Sequence, residues 1–233
     1  MNRIGIIGAM DQEIALLKNT MEIEAVEEKA GMKFFLGTLE GRPTALVRSG
    51  IGKVNAAVCA EILAEVYHID RLINTGIAGS LSPAIDICDI VVSTDAMQHD
   101  VDVTGFGHLP GEIPQMECST FTADPALIRL AERVCREVLP EIGVHAGRIV
   151  SGDQFIQDHA KKKWLAETFG AVCCEMEGAA IAQAAYLNRI PFVILRAISD
   201  KADDSAAMAY DQFEKEAIAN SVKLMHGMLR EIS

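Results

Sequence analysis

Short apolar runs alternate with longer stretches of helical period along the whole chain. Arg3–Ala9 reads as a buried strand, and a helix follows over Asp11–Asn19. Lys33–Leu39 and Thr44–Ser49 flank the turn-like Glu40-Gly41-Arg42-Pro43, which predicts a hairpin. Val54–Val66 is helical, with Ala56, Ala57, Ala60, Leu63 and Ala64 on one side. Arg71–Thr75 and Asp89–Thr94 are strands, whereas Met97–Phe121 holds Gly, Pro and His and shows no period. A long irregular stretch of this kind is usually functional or mobile. Helix returns at Pro125–Val138, with Asp124 as N-cap and proline in the first turn. Then come strand Val144–Val150, helix Lys161–Phe169, strand Ala171–Glu175, helix Gly178–Leu187, strand Phe192–Ile198 and a closing helix Tyr210–Leu229. This alternation predicts an α/β fold with a largely parallel sheet covered on both faces.

Ligands of such sheets sit at the carboxyl ends of the strands. Six of those ends carry glycines and acids: GAMDQE from Gly8, GIGK from Gly50, NTGIAG from Asn74, SGDQFI from Ser151, EMEG from Glu175, and AISD from Ala197. One such end is an ordinary turn and helix cap; six together read as one site. Gly50-Ile51-Gly52-Lys53 lacks the third glycine of a dinucleotide fingerprint and the Ser or Thr of a P-loop. It reads as a tight turn, or as a close approach of backbone to an anionic ligand. Glu175 and Glu177 share a face if the chain is extended and diverge if a helix starts there. Arg196 lies inside an apolar strand and needs a carboxylate partner if buried. Asp200 follows that strand, where a partly apolar cleft would raise its pKa so that it could act as a general acid. The histidines form no site; His99 and His108, in the irregular segment, read as satisfied or solvent-facing. Trp164 reads as packing.

Composition narrows the classes. At 233 residues the chain reads as one domain, 1–233, with a core of Ala, Val, Ile, Leu and Met, since aromatics are only 5%. A net charge of −12 argues against nucleic acid and against anionic membranes. The six cysteines have no CxxC spacing and no zinc-type histidine pattern, which predicts buried thiols in a reducing, cytoplasmic setting and no metal. The start, MNRIGIIGAM, reads as a strand rather than a signal peptide, and no stretch approaches a membrane span.

Taken in order, GIIGAMDQE, RSGIGKVNAA, INTGIAGS, DVTGFG, VSGDQFI, CEMEGAAIA and RAISDKAD resemble the bacterial 5′-methylthioadenosine/S-adenosylhomocysteine nucleosidases, within the purine nucleoside phosphorylase superfamily. The matching stretches run from Gly5 to Asp203. The resemblance implies a three-layer α/β/α fold with a central mixed, largely parallel sheet, a homodimer, and no cofactor. By position it makes Glu13 the residue that activates water and Asp200 the acid that protonates nitrogen seven of adenine, with Ser199 orienting it. Glu177 would bind the ribose hydroxyls, with Met176 against the sugar and Arg196 near the ribose and water. Phe155 would stack on the base, and the backbone of Ile156 would read its edge. Met10, Ile51, Ala78 and Gly79 would line the pocket. Val103, Phe106 and Pro114 resemble residues that a partner subunit lends to the alkylthio end. The chain departs from the pattern at Ile77, where many members have Ser, and at Ser80, where they have Gly.

The implied reaction is hydrolysis of the N-glycosidic bond of an adenine nucleoside. Two rivals stand beside it. A phosphorolytic nucleoside phosphorylase would need cations for phosphate, and Arg48 and Lys53 are available. A non-catalytic nucleoside-binding protein would not need both Glu13 and Asp200. Methylthioadenosine, adenosylhomocysteine, deoxyadenosine and a futalosine-type nucleoside remain open as substrates.

Overall fold

The computed structural model describes residues 3–202 and 206–232. Asp203, the last residue of the RAISDKAD stretch, lies outside them. The strands are β1 (Ile4–Gly8), β2 (Glu22–Lys29), β3 (Met32–Leu39), β4 (Arg42–Arg48), β5 (Arg71–Ser80), β6 (Ile90–Gln98), β7 (Phe121–Thr122), β8 (Val144–Ser151), β9 (Ala171–Glu175) and β10 (Phe192–Asp200). The helices are α1 (Asp11–Thr20), α2 (Lys53–Glu65), α3 (Pro125–Val138), α4 (His159–Phe169), α5 (Gly178–Leu187) and α6 (Ala206–Glu231).

All these strands join one mixed sheet, in the order β10-β6-β8-β9-β5-β1-β4-β3-β2, with β7 added beside β6. β1 runs parallel to both β4 and β5, β10 parallel to β5, and β8 parallel to both β6 and β9. β5 also pairs with β10, so β5, β10, β6, β8 and β9 close into a ring. The closure comes at the far end of β5, where Gly79, still paired with Asp200 of β10, and Ser80 pair antiparallel with Cys174 and Cys173 of β9.

Two apolar layers sandwich the sheet. α2 and α5 pack on one face through Ala56, Cys59, Ala60, Leu63, Ala179, Ile181 and Ala182, against Ile7, Leu72 and Ile194. α1, α3 and α6 cover the other face, around Ile6, Ile73, Val193 and Leu195. Small side chains let α5 lie close to the sheet, which is why a chain poor in aromatics still packs densely. The expected cap of α3 forms: Asp124 accepts the N–H groups of Ala126 and Leu127, both at 2.9 Å.

Two sequence expectations need correction. β2 reads as nothing in the sequence because seven of its eight residues are exposed and four are glutamates. It is the edge strand, and an edge with both faces in water has no burial alternation. His99 is neither satisfied nor solvent-facing: it is buried, and neither ring nitrogen finds a partner among the described residues. It lies against Gly152, and burial pushes its pKa down.

Candidate active site

A cleft of about 480 Å³ opens at the carboxyl ends of β1, β5, β9 and β10. Its volume is within the range of small-molecule sites. Met10, Glu13, Ile51, Ala78, Gly79, Phe155, Ile156, Met176, Glu177, Ser199 and Asp200 all line it, so eleven residues singled out in the sequence meet there. Ala9, Ile77, Gln154, Cys174, Glu175 and Ala202 complete the wall.

Glu13 stands in the first turn of α1 and folds back over the end of β1. Its Oε2 accepts the N–H of Ala9 at 2.6 Å and of Met10 at 2.9 Å, and Oε1 accepts the N–H of Ile77 at 3.2 Å. Burial raises its pKa, against the opposing pull of Arg196 and these three N–H donors. Asp200 ends β10. Its Oδ2 accepts from Ser199 Oγ at 2.9 Å and its Oδ1 from the N–H of Ala202 at 2.7 Å.

β5 lies between β1 and β10, and two of its glycines let the acids close in. A Cβ on Gly76 would sit 2.5 Å from Glu13 Oε1, and one on Gly79 would sit 2.8 Å from Asp200 Oδ1. Three residues along a strand cover about 10 Å. The two glycines therefore place the acids at points about that far apart along β5.

Glu175 and Glu177 diverge, because β9 ends at Glu175 and Glu177 is already the N-cap of α5. Glu175 turns inward and bonds Arg196 Nη2 at 2.5 Å, Ser151 Oγ, and the N–H groups of Glu177 and Gly178. Arg196 thereby has the carboxylate its burial demands, and the pair holds the Glu175 pKa down. Glu177 faces the cleft and accepts the N–H of Gly52 at 2.8 Å. Burial, and then the neighbouring Glu175 charge, push its pKa up to about 8. Glu175 is the functional side chain whose role the sequence did not assign. The signal was there, in an acid near a strand end and an arginine within an apolar strand, but only the fold pairs them.

The glycine turn before α2 is a turn that fixes acids. Gly50 and Gly52 take φ of 86° and 97°, which L side chains rarely adopt. The first free N–H groups of α2 go to Glu177 and, from Lys53, to Asp153 Oδ1 at 2.8 Å. The candidate phosphate cations are engaged too: Lys53 Nζ lies 2.6 Å from Asp100 and Arg48 Nε 3.4 Å from Asp11. Backbone donors and cations at this rim are thus held by the chain's own carboxylates. Among the described residues no cluster of three or more His, Cys, Asp or Glu could hold a metal ion.

The phosphorylase superfamily model matches residues 3–232. A 5′-methylthioadenosine/S-adenosylhomocysteine nucleosidase of Bacillus cereus is 40% identical over 231 residues, 99% of each chain. The chain belongs to this nucleosidase family. The Neisseria meningitidis nucleosidase, solved with methylthio-immucillin-A, superposes with a TM-score of 0.94 at 39% identity, covering 100% of both chains. A futalosine hydrolase of Helicobacter pylori superposes equally well, with a TM-score of 0.94 at 31% identity over 99% of this chain and 98% of that one.

Within the nucleosidase fold, four of the marked residues lie off the cleft wall. Arg196 is behind it, reaching the site through Glu175 and its charge. Val103, Phe106 and Pro114 belong to the irregular segment and do not line the cleft of the single chain; Phe106 is 89% exposed. The Ile77 departure is tolerated for a local reason. The group that touches Glu13 is the Ile77 backbone N–H, which any residue but proline supplies.

Proposed function

We propose that this chain hydrolyses the N-glycosidic bond of 5′-methylthioadenosine and S-adenosylhomocysteine, releasing adenine and the thioribose. The observation that carries the reading is two buried carboxyl groups on one cleft, brought against Gly76 and Gly79 of β5. As the bond between the base and the anomeric carbon breaks, negative charge grows on the base and positive charge on the ribose. Asp200, oriented by Ser199, gives its proton to nitrogen seven and stabilises the leaving adenine. A water forms the new bond to the anomeric carbon and passes its proton to Glu13. The three backbone donors aim the Glu13 carboxyl, while burial raises its pKa and makes the carboxylate a stronger base. Two carboxyl groups in different surroundings can start in opposite protonation states.

Glu177 holds the ribose hydroxyls beside Met176. Phe155 stacks on the base, and the backbone of Ile156 reads its edge. Arg196 adds positive charge near the water. Met10, Ile51, Ala78 and Gly79 shape the rest. We place the working form as a homodimer whose partner lends Val103, Phe106 and Pro114 to the alkylthio end. An exposed apolar face on α2 and α5, with Val54, Val58 and Leu187, supports it. The irregular segment packs beside that face through Gln183 and Met116. Six unpaired cysteines fit a reducing, cytoplasmic setting.

Adenine release measured with and without phosphate tests the reaction: free thioribose in both is expected, and phosphate-dependent sugar phosphate would overturn hydrolysis. Glu13→Gln and Asp200→Asn are each expected to lower turnover by at least about 10²-fold. Near-normal turnover in either removes that residue from its role.

A further inference from the structure

Asn74 is buried at 1% exposure in the middle of β5, where hydrocarbon would normally pack. A buried primary amide is costly unless its atoms are bonded. Here both ends are used. Nδ2 donates to the carbonyl of Ile7 in β1 at 2.9 Å, and Oδ1 accepts from Arg196 Nη2 of β10 at 2.5 Å. The same Nη2 reaches Glu175 of β9, and Nη1 donates to the carbonyl of Leu195 at 3.0 Å. One amide therefore ties the guanidinium to the strand whose end holds Glu13. Glu13 Oε1 and Arg196 Nη1 lie 2.5 and 3.4 Å from the point a Gly76 Cβ would occupy, so the cation borders the acid across that glycine.

We infer that Asn74 is a positioning residue for the hydrolysis: its amide fixes the direction in which Arg196 presents its charge to the Glu13 carboxyl. This rests on the role proposed for Glu13. Without Asn74, the guanidinium keeps Glu175 and the Leu195 carbonyl of its own strand but loses its tie to β1 and β5, and with it the bond that fixes its direction toward Glu13. The charged groups that act on Glu13 are Arg196 of β10 and Glu177 at the start of α5; Glu175 of β9 acts through Arg196. Arg196 favours the carboxylate form of Glu13. A guanidinium that turns away leaves the acid easier to protonate, so the base is lost at higher pH.

The test is the pH profile of kcat and kcat/KM for methylthioadenosine with Asn74→Leu, which keeps the branched skeleton and removes both bonds. The expected result is a kcat about 10- to 100-fold lower, KM within about threefold, and an acid limb of kcat/KM displaced to higher pH. An acid limb in its wild-type place, with kcat per adenine-binding site unchanged, overturns the proposal, because a purely structural amide would alter only the amount of folded enzyme. Should the leucine variant fail to fold, Asn74→Ser carries the same expectation and the same refutation. Glu13→Gln is run alongside. If it retains turnover, the functional reading fails; if it is inactive while the Asn74 variants keep the wild-type limb, only this inference fails.

Discussion

Gly76→Ala isolates the placement of Glu13 from every other feature of the site. The backbone at Gly76 has no positive φ, so alanine adds no conformational strain; the perturbation is one methyl group. That methyl would lie 2.5 Å from Glu13 Oε1 and 3.1 Å from Cδ. Ordinary contact begins at 3.4 Å, so the oxygen must retreat by the difference, about 0.9 Å. The retreat strains the 3.2 Å bond from the Ile77 N–H and pulls the carboxyl off the line of a bound water. A displacement of about 1 Å at a reacting group costs roughly 10²-fold in rate. Losing one hydrogen bond to a buried carboxyl costs about 1–3 kcal/mol, and a chain of this size loses about 2–4 °C in Tm per kcal/mol. Steady-state adenine release should therefore show kcat about 10²-fold lower, with adenine binding and KM little changed, because the contacts proposed for the base, Phe155 and Asp200, are untouched. Melting should fall by several degrees. A kcat within threefold of wild type would show that the carboxyl is not positioned against this glycine as described.

Gly79→Ala meets Asp200 Oδ1 at 2.8 Å and the Ala202 Cβ at 2.9 Å, so both kcat and adenine affinity should fall; unchanged adenine binding would separate Asp200 from the base. Glu177 keeps its proton up to about pH 8 in the fold but releases it near the ordinary 4.5 when unfolded. The folded state binds more protons in that window, so stability declines as pH rises through it. Glu177→Gln should melt progressively higher than wild type from pH 5 to 8, and a gap that does not grow with pH refutes the raised pKa. Phe155→Ala removes a stacking face worth about 1–3 kcal/mol and should raise KM about tenfold with a smaller change in kcat; the reverse pattern argues against stacking on the base. Val58→Asp, on the exposed apolar face, should shift sedimentation from dimer to monomer and raise KM for thioether nucleosides more than for deoxyadenosine. An unchanged dimer would place the interface elsewhere.

Most of the fold was legible because burial writes its period into the chain. Strands β1, β5 and β10 carry apolar runs, and α3 announces its start with Asp124 and Pro125. β2 was not legible, since an edge strand in water carries no alternation to read. His99 misled for the opposite reason: nothing local marks a histidine that will be buried by a glycine fifty residues away. The site followed the same division. Sequence supplied the acids at the ends of β1 and β10, and the resemblance gave them roles.

What the sequence determined by itself, then, is the set of elements and the chemistry available at their ends, because both are local properties of residue type and spacing. The ring closure of the sheet was decided only in three dimensions. It requires Gly79 and Ser80 to meet Cys174 and Cys173 of β9, a pairing between segments more than ninety residues apart. That closure brings Glu175 onto Arg196, sends Glu177 to Gly52, and leaves Glu13 and Asp200 facing one cleft. Such contacts depend on which strands meet, and the pattern of any one strand is the same whichever neighbour it finds.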